Sequence, residues 1–282
     1  MKTKFLNKWI VALILLCSYA ATAQTDSVNN EDDQTHFKIG VYYNSALNYY
    51  GRTDSLKSSG FFPMAELWFN KNFYVSAAPV FVNNAVASFD YAGTVATAGF
   101  QFNEKDKWFG NLYFVKPFYE SSSQLVQSAL KAQGAMSLSW MSKVINITAG
   151  GDIKLSDKMD FGLTGGVDHI IRHQFADNSV LVVDPSAYVY AGTQQFTSTY
   201  YKKSHFLLFP GVEQSVSEEV KSFNILSYEL SMPVIFAKGK LQLLFTSAYV
   251  IPRNLITVQG RPDLSERGKE MFYATIGAKV TF

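Results

Sequence analysis

The sequence predicts an all-β protein: a transmembrane, antiparallel, up-and-down β-barrel of about twelve strands (ten to fourteen on this pattern) after a cleaved signal peptide. Apolar residues alternate along the last segment, residues 270–282, and the chain ends on the aromatic Phe282. Aromatic residues make up 15% of the chain and charged residues only 17%, below the ~25% charged share of ordinary globular proteins. Yet no apolar run after the first segment approaches the ~18 residues of a membrane-spanning helix. Short apolar runs of this kind fit a sheet whose outer face meets lipid.

The first segment, residues 1–23, has the pattern of a secretory signal. It carries Lys2, Lys4 and Lys8, then the apolar run "WIVALILLCSYA" and the small-residue site "ATA". We expect cleavage after Ala23. The alternative, a membrane anchor, is disfavoured because the apolar run is shorter than the ~20 residues that a spanning helix needs. Residues 24–36 are polar and acidic and predict a flexible periplasmic lead-in.

Charge and cysteine content exclude several classes of function. Cys17, the single cysteine, lies in the signal segment, so the mature chain has no disulfide and no thiolate nucleophile or metal ligand. Removal of the three signal lysines leaves 22 basic against 23 acidic residues. This balance argues against nucleic acid as a partner. No motif predicts a metal site or a cofactor.

Period-two alternation predicts the strands, and its clearest example is residues 124–141. There Met136, Leu138 and Trp140 share one parity while Ser137 and Ser139 share the other. A helix is the alternative for the first part of this segment, but the two-residue period continues through Trp140 and favours a strand. The predicted strands are residues 37–50, 60–70, 72–83, 90–103, 107–118, 124–141, 144–155, 158–173, 179–192, 223–237, 240–252 and 270–282.

The lengths of the connections give an independent check on this count. If both termini are periplasmic, connections after even-numbered strands are periplasmic and short. The long connections, residues 51–59, 193–222 and 253–269, all follow odd-numbered strands. Residues 193–222 contain "HFLLFPG", which is too apolar for a solvated loop. We expect this loop to fold into the mouth as a constriction, to lie on the outer leaflet, or to extend the neighbouring strands.

The alternation of the last strand also bears on barrel closure. A sheet crosses lipid only when it is closed, because every backbone polar group must be paired, so the last strand is predicted to pair with the first. This ending resembles the carboxy-terminal strand of Gram-negative outer-membrane β-barrel proteins. The resemblance implies an outer-membrane location with periplasmic termini, and recognition by the barrel-assembly machinery. The residues that carry it are Phe272, Ile276, Val280 and Phe282.

Charged residues on the polar parity of the strands are predicted to line the lumen. Their signs are mixed, so no strong ion selectivity follows. Either they neutralise one another as a network that fills a small barrel, or they line a narrow path for a polar solute. The candidates are Lys38, Glu66, Asp152, Lys154, Asp160, Asp168, Arg172, Glu229 and Lys279.

The histidines do not form the pairs that known barrel enzymes use. Outer-membrane phospholipases carry a His-x-Ser pair and omptin proteases an Asp-x-His pair, and neither occurs here. Asp168 and His169 are adjacent, so on a strand they point to opposite faces. His169 and His173 lie about 13 Å apart on a strand, too far to share one ion. "DHIIRH" is therefore interpreted as part of an interfacial girdle near the periplasmic rim, and no catalytic residue is predicted.

These observations predict a narrow channel, or a passage and binding site, for small polar solutes in the outer membrane. One alternative is a closed structural barrel that presents its outer loops to a partner. A barrel-embedded lipid-modifying enzyme is a third hypothesis, and a soluble exported β-sandwich is the rival fold.

Overall fold

The computed structural model describes residues 34–54, 56–105, 107–120, 130–156, 158–194, 222–257 and 265–282. The predicted signal segment, residues 1–23, most of the predicted loop 193–222 and residues 258–264 of the predicted loop 253–269 lie outside these residues. Among the described residues, no helix has the length and apolar character needed to cross a membrane. The strands are β1 (His36–Asn44), β2 (Ser59–Trp68), β3 (Phe73–Asn83), β4 (Asp90–Glu104), β5 (Trp108–Tyr119), β6 (Ala132–Trp140), β7 (Asn146–Leu155), β8 (Met159–Asp168), β9 (Ile171–Gln174), β10 (Ser179–Val183), β11 (Ser186–Gly192), β12 (Asn224–Lys238), β13 (Leu241–Pro252) and β14 (Met271–Thr281).

These strands form one closed antiparallel sheet, which confirms the predicted fold. Each strand from β1 to β8 pairs with the next, β8 pairs with β11, and β11 to β14 continue the ring. The ring closes where β14 pairs with β1, for example Ile276 with Tyr43. Phe282 extends this pairing, because its N–H donates to the carbonyl of Phe37 at 2.7 Å. The chain end is therefore tied into the sheet, as the closure argument requires.

The strand count of twelve is also confirmed, because two of the predicted strands are each divided by a break. β8 and β9 together occupy the predicted strand 158–173, and β10 and β11 occupy the predicted strand 179–192. β10 and β11 lie end to end along β12, while β9 pairs only with β10. Pro185 lies in the second break, where it lacks the N–H that a ladder would use. The β9–β10 hairpin extends beyond the ring of twelve strands.

One predicted strand is shorter in the structure, because β1 ends at Asn44 rather than at residue 50. β6 begins at Ala132, and residues 124–129 of its predicted strand lie outside the described residues. Asn44 accepts a hydrogen bond from the N–H of Ala46 at 3.0 Å, a local turn that takes the chain out of the strand.

The two faces of the sheet differ in the way the alternation predicts. The outer face exposes large apolar side chains, such as Leu112 at 55%, Met136 at 63% and Phe272 at 64%. The inner face carries the polar and charged residues of the same strands, together with buried apolar ones. An exposed apolar surface this extensive is not stable in water.

The connections at the two ends of the barrel also differ. The end where β1 begins and β14 ends, here called the terminal end, has short connections at residues 69–72, 105–107, 141–145, 175–178 and 239–240. The opposite end, here called the mouth, has the long ones, including residues 45–58 and 253–270.

Candidate functional site in the barrel interior

One side of the interior is filled by large side chains. We call the inner face of β12–β14 and β1–β3 the packed wall. Phe62 and Ala78 form one buried cluster there, and Val250 and Tyr273 belong to another. Trp68 is buried between His36 and Tyr74, with ring centroids at 5.8 and 4.7 Å.

The other side carries small and polar residues. We call the inner face of β5–β8 the open wall. Asn111, Ser137, Gly150 and Thr164 are only half-buried on it. Together with Asp152 they line a cavity on the inside of the barrel. A water-sized space therefore lies against this wall, at the level where Asn111, Ser137, Gly150 and Thr164 are paired across β5–β8.

Three tyrosines lie over glycines of the neighbouring strand. Tyr42 covers Gly277 across the β1–β14 seam, and a Cβ added at Gly277 would overlap the Tyr42 ring. Tyr74 covers Gly99, and Tyr188 covers Gly166, in the same way. Glycine is required at these positions because any larger side chain would displace the ring.

The connection between β1 and β2 folds into the mouth of the barrel. We call residues 45–54 and 56–58 the mouth loop. Leu47 packs against the cluster of Phe62 and Ala78, and Ala46 packs against that of Val250 and Tyr273. The loop therefore docks on the packed wall by apolar contact instead of extending into solvent.

Arg52 holds the mouth loop in place. Its Nε donates to Glu266 Oε2 at 2.9 Å, and both side chains are almost fully buried. Its other nitrogens donate to carbonyl oxygens of residues 50, 226, 253 and 254 and to Gln194 Oε1. One guanidinium thus connects the mouth loop to three other parts of the barrel: β12, Gln194 just after β11, and the connection after β13. Its planar fork of five N–H donors suits this task.

Two tyrosines of the mouth loop reach the far side of the barrel. β7 lies six strands from β1 in the ring of twelve, so the two strands face each other across the lumen. The Nζ atom of Lys154, on β7, lies 5.8 Å from the ring centroid of Tyr49 and 5.6 Å from the ring centroid of Tyr50. Tyr50 also contacts Tyr190 on β11 at 5.0 Å between centroids. The mouth loop therefore crosses the lumen and narrows it.

The structure brings some of the predicted lumen charges together near the mouth. Lys154 is buried and forms an ion pair with Asp152. Asp160 is buried and accepts a hydrogen bond from Thr193. On the packed wall, Glu229 accepts a hydrogen bond from Tyr273 at 2.9 Å.

A second group of these charges lies near the terminal end. Glu66 accepts a hydrogen bond from Trp68 Nε1 at 2.9 Å, and its other oxygen lies 4.0 Å from Lys279 Nζ. The ammonium of Lys38 lies 4.1 Å from the Trp68 ring centroid, a cation–π contact. Asp168, on the opposite side, accepts hydrogen bonds from Asn146 and Tyr188. These groups neutralise one another in pairs or bond to neutral donors instead of forming one network.

Arg172 does not join either group. It lies on β9 in the hairpin beyond the ring, and its side chain is exposed. His173 on the same strand packs edge-on against Phe175, with centroids 4.6 Å apart. Among the described residues, no three His, Asp or Glu side chains converge in a way that could hold a metal ion.

The four residues of the predicted closure signal lie on the outer face of β14 or just after it. Phe272 and Ile276 are among the most exposed apolar residues, at 64% and 56%, and Phe282 is 61% exposed. Val280 pairs with Ile39 of β1 and with Leu241 of β13.

Sequence reasoning missed the mouth loop and Arg52. The predicted constriction, residues 193–222, lies outside the described residues apart from its ends. Residues 48–50, "NYY", continue the aromatic run of β1 and were therefore predicted as strand, while Gly51 and Arg52 fall in the predicted connection 51–59. Asn48 followed by Gly51 and Arg52 was the available signal: Asn48 Oδ1 accepts the Gly51 N–H at 3.1 Å, and Gly51 has a φ of 77°. That φ lies in the left-handed region, which a strand does not use.

Comparison with known proteins adds a general likeness. No family model matches the chain, and no curated protein matches its sequence. Among solved structures, it is similar to a KdgM porin at 8% identity and a TM-score of 0.47, covering 87% of this chain and 99% of that one. It is also similar to an outer membrane channel from Pseudomonas putida F1, at 9% identity and a TM-score of 0.45, covering 88% and 96%. A NanC porin matches at 11% identity and a TM-score of 0.42, covering 86% and 98%. The scores and identities are low, so the barrel fold rests on the strand pairing of this chain itself.

Proposed function

We propose that the chain is an integral outer-membrane β-barrel whose narrow lumen passes small polar solutes. The observation that carries this proposal is the contrast inside the barrel: small, half-buried polar residues line a water-sized cavity on β5–β8, and buried aromatic and aliphatic clusters fill the inner face of β12–β3. A closed scaffold has no need of small, polar, solvent-reached side chains along a continuous set of strands. A passage for polar solutes needs them, because they replace part of the hydration of the solute.

The membrane location is supported by the outer face. Besides its exposed aliphatic residues, this face has aromatic side chains near both ends of the strands. Trp108 and Trp140 pair at the terminal end, and Phe118 and Tyr119 lie at the mouth end of β5. Aromatic residues near both ends of an apolar band are typical of chains that span a bilayer.

The orientation follows from the connections. Outer-membrane barrels have short periplasmic turns and longer extracellular loops, so we place the terminal end in the periplasm and the mouth outside. Both chain termini are then periplasmic. The barrel-assembly machinery would recognise the outward side chains of the last strand before they face lipid. These residues are Phe272, Ile276, Val280 and Phe282.

Conductance in planar bilayers tests this function. We expect the mature protein to form small, steady channels, and Ser137→Trp to reduce their conductance strongly because the indole would fill the space along the open wall. Leu138→Trp is the matched control, since the adjacent residue on the same strand points to lipid and is 41% exposed. Absence of any current from folded wild-type protein would leave the alternative, a closed barrel that presents its mouth to a partner. If both variants conducted as well as the wild type, the path of the solute would not run beside β6.

A further inference from the structure

We infer that the barrel holds a hard divalent cation, Ca²⁺ or Mg²⁺, between Asp168 and Asp184 near the terminal end. The site lies where two long strands break: Asp168 ends β8, and Asp184 separates β10 from β11. This inference does not depend on whether the lumen conducts.

The two carboxyl groups are neighbours: Asp168 pairs with Ser186, two residues after Asp184, the His169 N–H donates to the Pro185 carbonyl at 3.1 Å, and the two side chains interact directly. Asp184 is 8% exposed, and its Oδ1 has no hydrogen-bond partner. Asp168 accepts hydrogen bonds from Asn146 Nδ2 at 2.6 Å and from Tyr188 Oη at 3.3 Å. These donors orient Asp168, and the neighbouring Asp184 keeps one buried oxygen without a hydrogen-bond partner.

The fold forces the two groups together. Asp168 pairs with Asn146 on one side and with Ser186 on the other, so its position is set by the register of β7, β8 and β11. The N–H of Asp184 donates to the carbonyl of Pro233 at 2.9 Å, which fixes Asp184 on β12. The backbone positions of both residues are therefore fixed by the sheet.

Nothing among the described residues neutralises this pair. No ion pair of the described residues involves Asp168 or Asp184. Two carboxylates in contact cannot both remain charged without a counter-ion, so they either share a proton or bind a cation. Oxygen-only ligands of this kind are those that Ca²⁺ and Mg²⁺ prefer, and both ions complete their coordination with water. The unpartnered Asp184 oxygen favours the cation, because a shared proton would leave it unsatisfied.

The test is metal binding to the mature protein, folded in detergent and freed of metal by a chelator. The probe is Tb³⁺ luminescence, excited through nearby aromatic rings and displaced by Ca²⁺ or by Mg²⁺ in separate titrations. We expect saturable binding to the wild type, and at least about a tenfold loss of affinity in Asp184→Asn and in Asp168→Asn. Asp177→Asn is the matched control, because it removes the same charge from an exposed position in the same hairpin, and its affinity should equal that of the wild type.

Heat-modifiable gel mobility reports whether each variant has folded. If Asp184→Asn does not fold, the comparison of metal affinity between Asp168→Asn and the wild type still tests the site. Absence of saturable binding to the folded wild type would overturn the inference in favour of a shared proton. Binding that is unchanged in both variants would place the ion elsewhere and overturn it equally.

Discussion

The packed wall and the open wall are built from strands with the same alternation, yet their interiors differ. On the packed wall the inward residues are large, as at Phe62, Trp68 and Tyr273, and most are buried. On the open wall they include small polar residues such as Ser137 and Thr164, which are half-buried and line a water-sized cavity. The mouth loop packs against the packed wall, and the cavity lies at the open wall.

This difference teaches that the size of inward residues, more than their charge, decides where a small barrel is hollow. A barrel of eight strands is filled by ordinary side chains, and barrels of sixteen or more leave a wide channel. Twelve strands lie between these cases. Large residues and an inward loop can fill about half of such an interior, and small residues keep the other half free.

The largest expected effect on stability and conductance comes from releasing the mouth loop from the packed wall. Arg52→Ala leaves Glu266 buried without its partner, and removal of one member of a buried ion pair costs about 3–5 kcal/mol. We expect a matching loss in the free energy of unfolding, measured by urea titration in phospholipid vesicles. We also expect higher single-channel conductance, because the mouth loop would no longer be fixed across the lumen.

Arg253→Ala is the matched control for this change. Arg253 lies at the same mouth, but its side chain is exposed and contacts only the face of Tyr228, 5.7 Å from the ring centroid. Such a contact is worth about 0.5–1 kcal/mol, so stability should fall little and conductance should not change. If Arg52→Ala left both stability and conductance at wild-type values, the loop would not be held by this residue.

A smaller effect is expected from crowding the seam within the packed wall. Gly277→Val places a branched side chain where the Tyr42 ring lies, and overpacking of this kind costs about 1–3 kcal/mol. Gly165→Val makes the same substitution on β8, where no atom lies within 4 Å of an added Cβ, and should change stability by less than about 0.5 kcal/mol. Urea unfolding of the two variants in the same vesicles would measure the difference. Equal stability of the two would mean that the seam tolerates displacement of Tyr42.

The outer face and the strand count were predictable from sequence because lipid imposes a strict alternation that tertiary contacts do not override. Met136, Leu138 and Trp140 point outward as their parity requires. The interior was less predictable. Parity places Lys154 and Asp160 inside the barrel but cannot show that residues 49 and 50 of a distant connection reach Lys154. That contact depends on the closure of the ring, which sets β1 opposite β7, and on the left-handed backbone of Tyr50 and Gly51, whose φ values are 53° and 77°.

The two-residue period likewise could not predict the breaks between β8 and β9 and between β10 and β11. The alternation continues through both segments, so each was read as one strand. Pro185 indicates the second break, since proline interrupts a central ladder. Nothing in the residues at 169–170 indicates the first, which follows from the pairing of β9 with β10 alone.

The smallest effect is expected outside both walls, at the tip of the β9–β10 hairpin. Lys238 donates a hydrogen bond to Asp177 and lowers the pKa of this carboxyl below its ordinary range, with Ser179 adding to the effect. A lowered pKa in the folded state means that the contact stabilises the protein at pH values above the ordinary carboxyl pKa of about 3.9 and ceases to do so as the pH falls through the folded value. Both side chains are more than half exposed, at 57% and 53%, so solvent and salt screen the pair. Asp177→Asn should therefore shift the urea midpoint only slightly at pH 7 in low salt, and high salt should remove even that shift. A shift that persisted in high salt, or that grew in acid, would mean that the hairpin tip depends on more than this exposed pair.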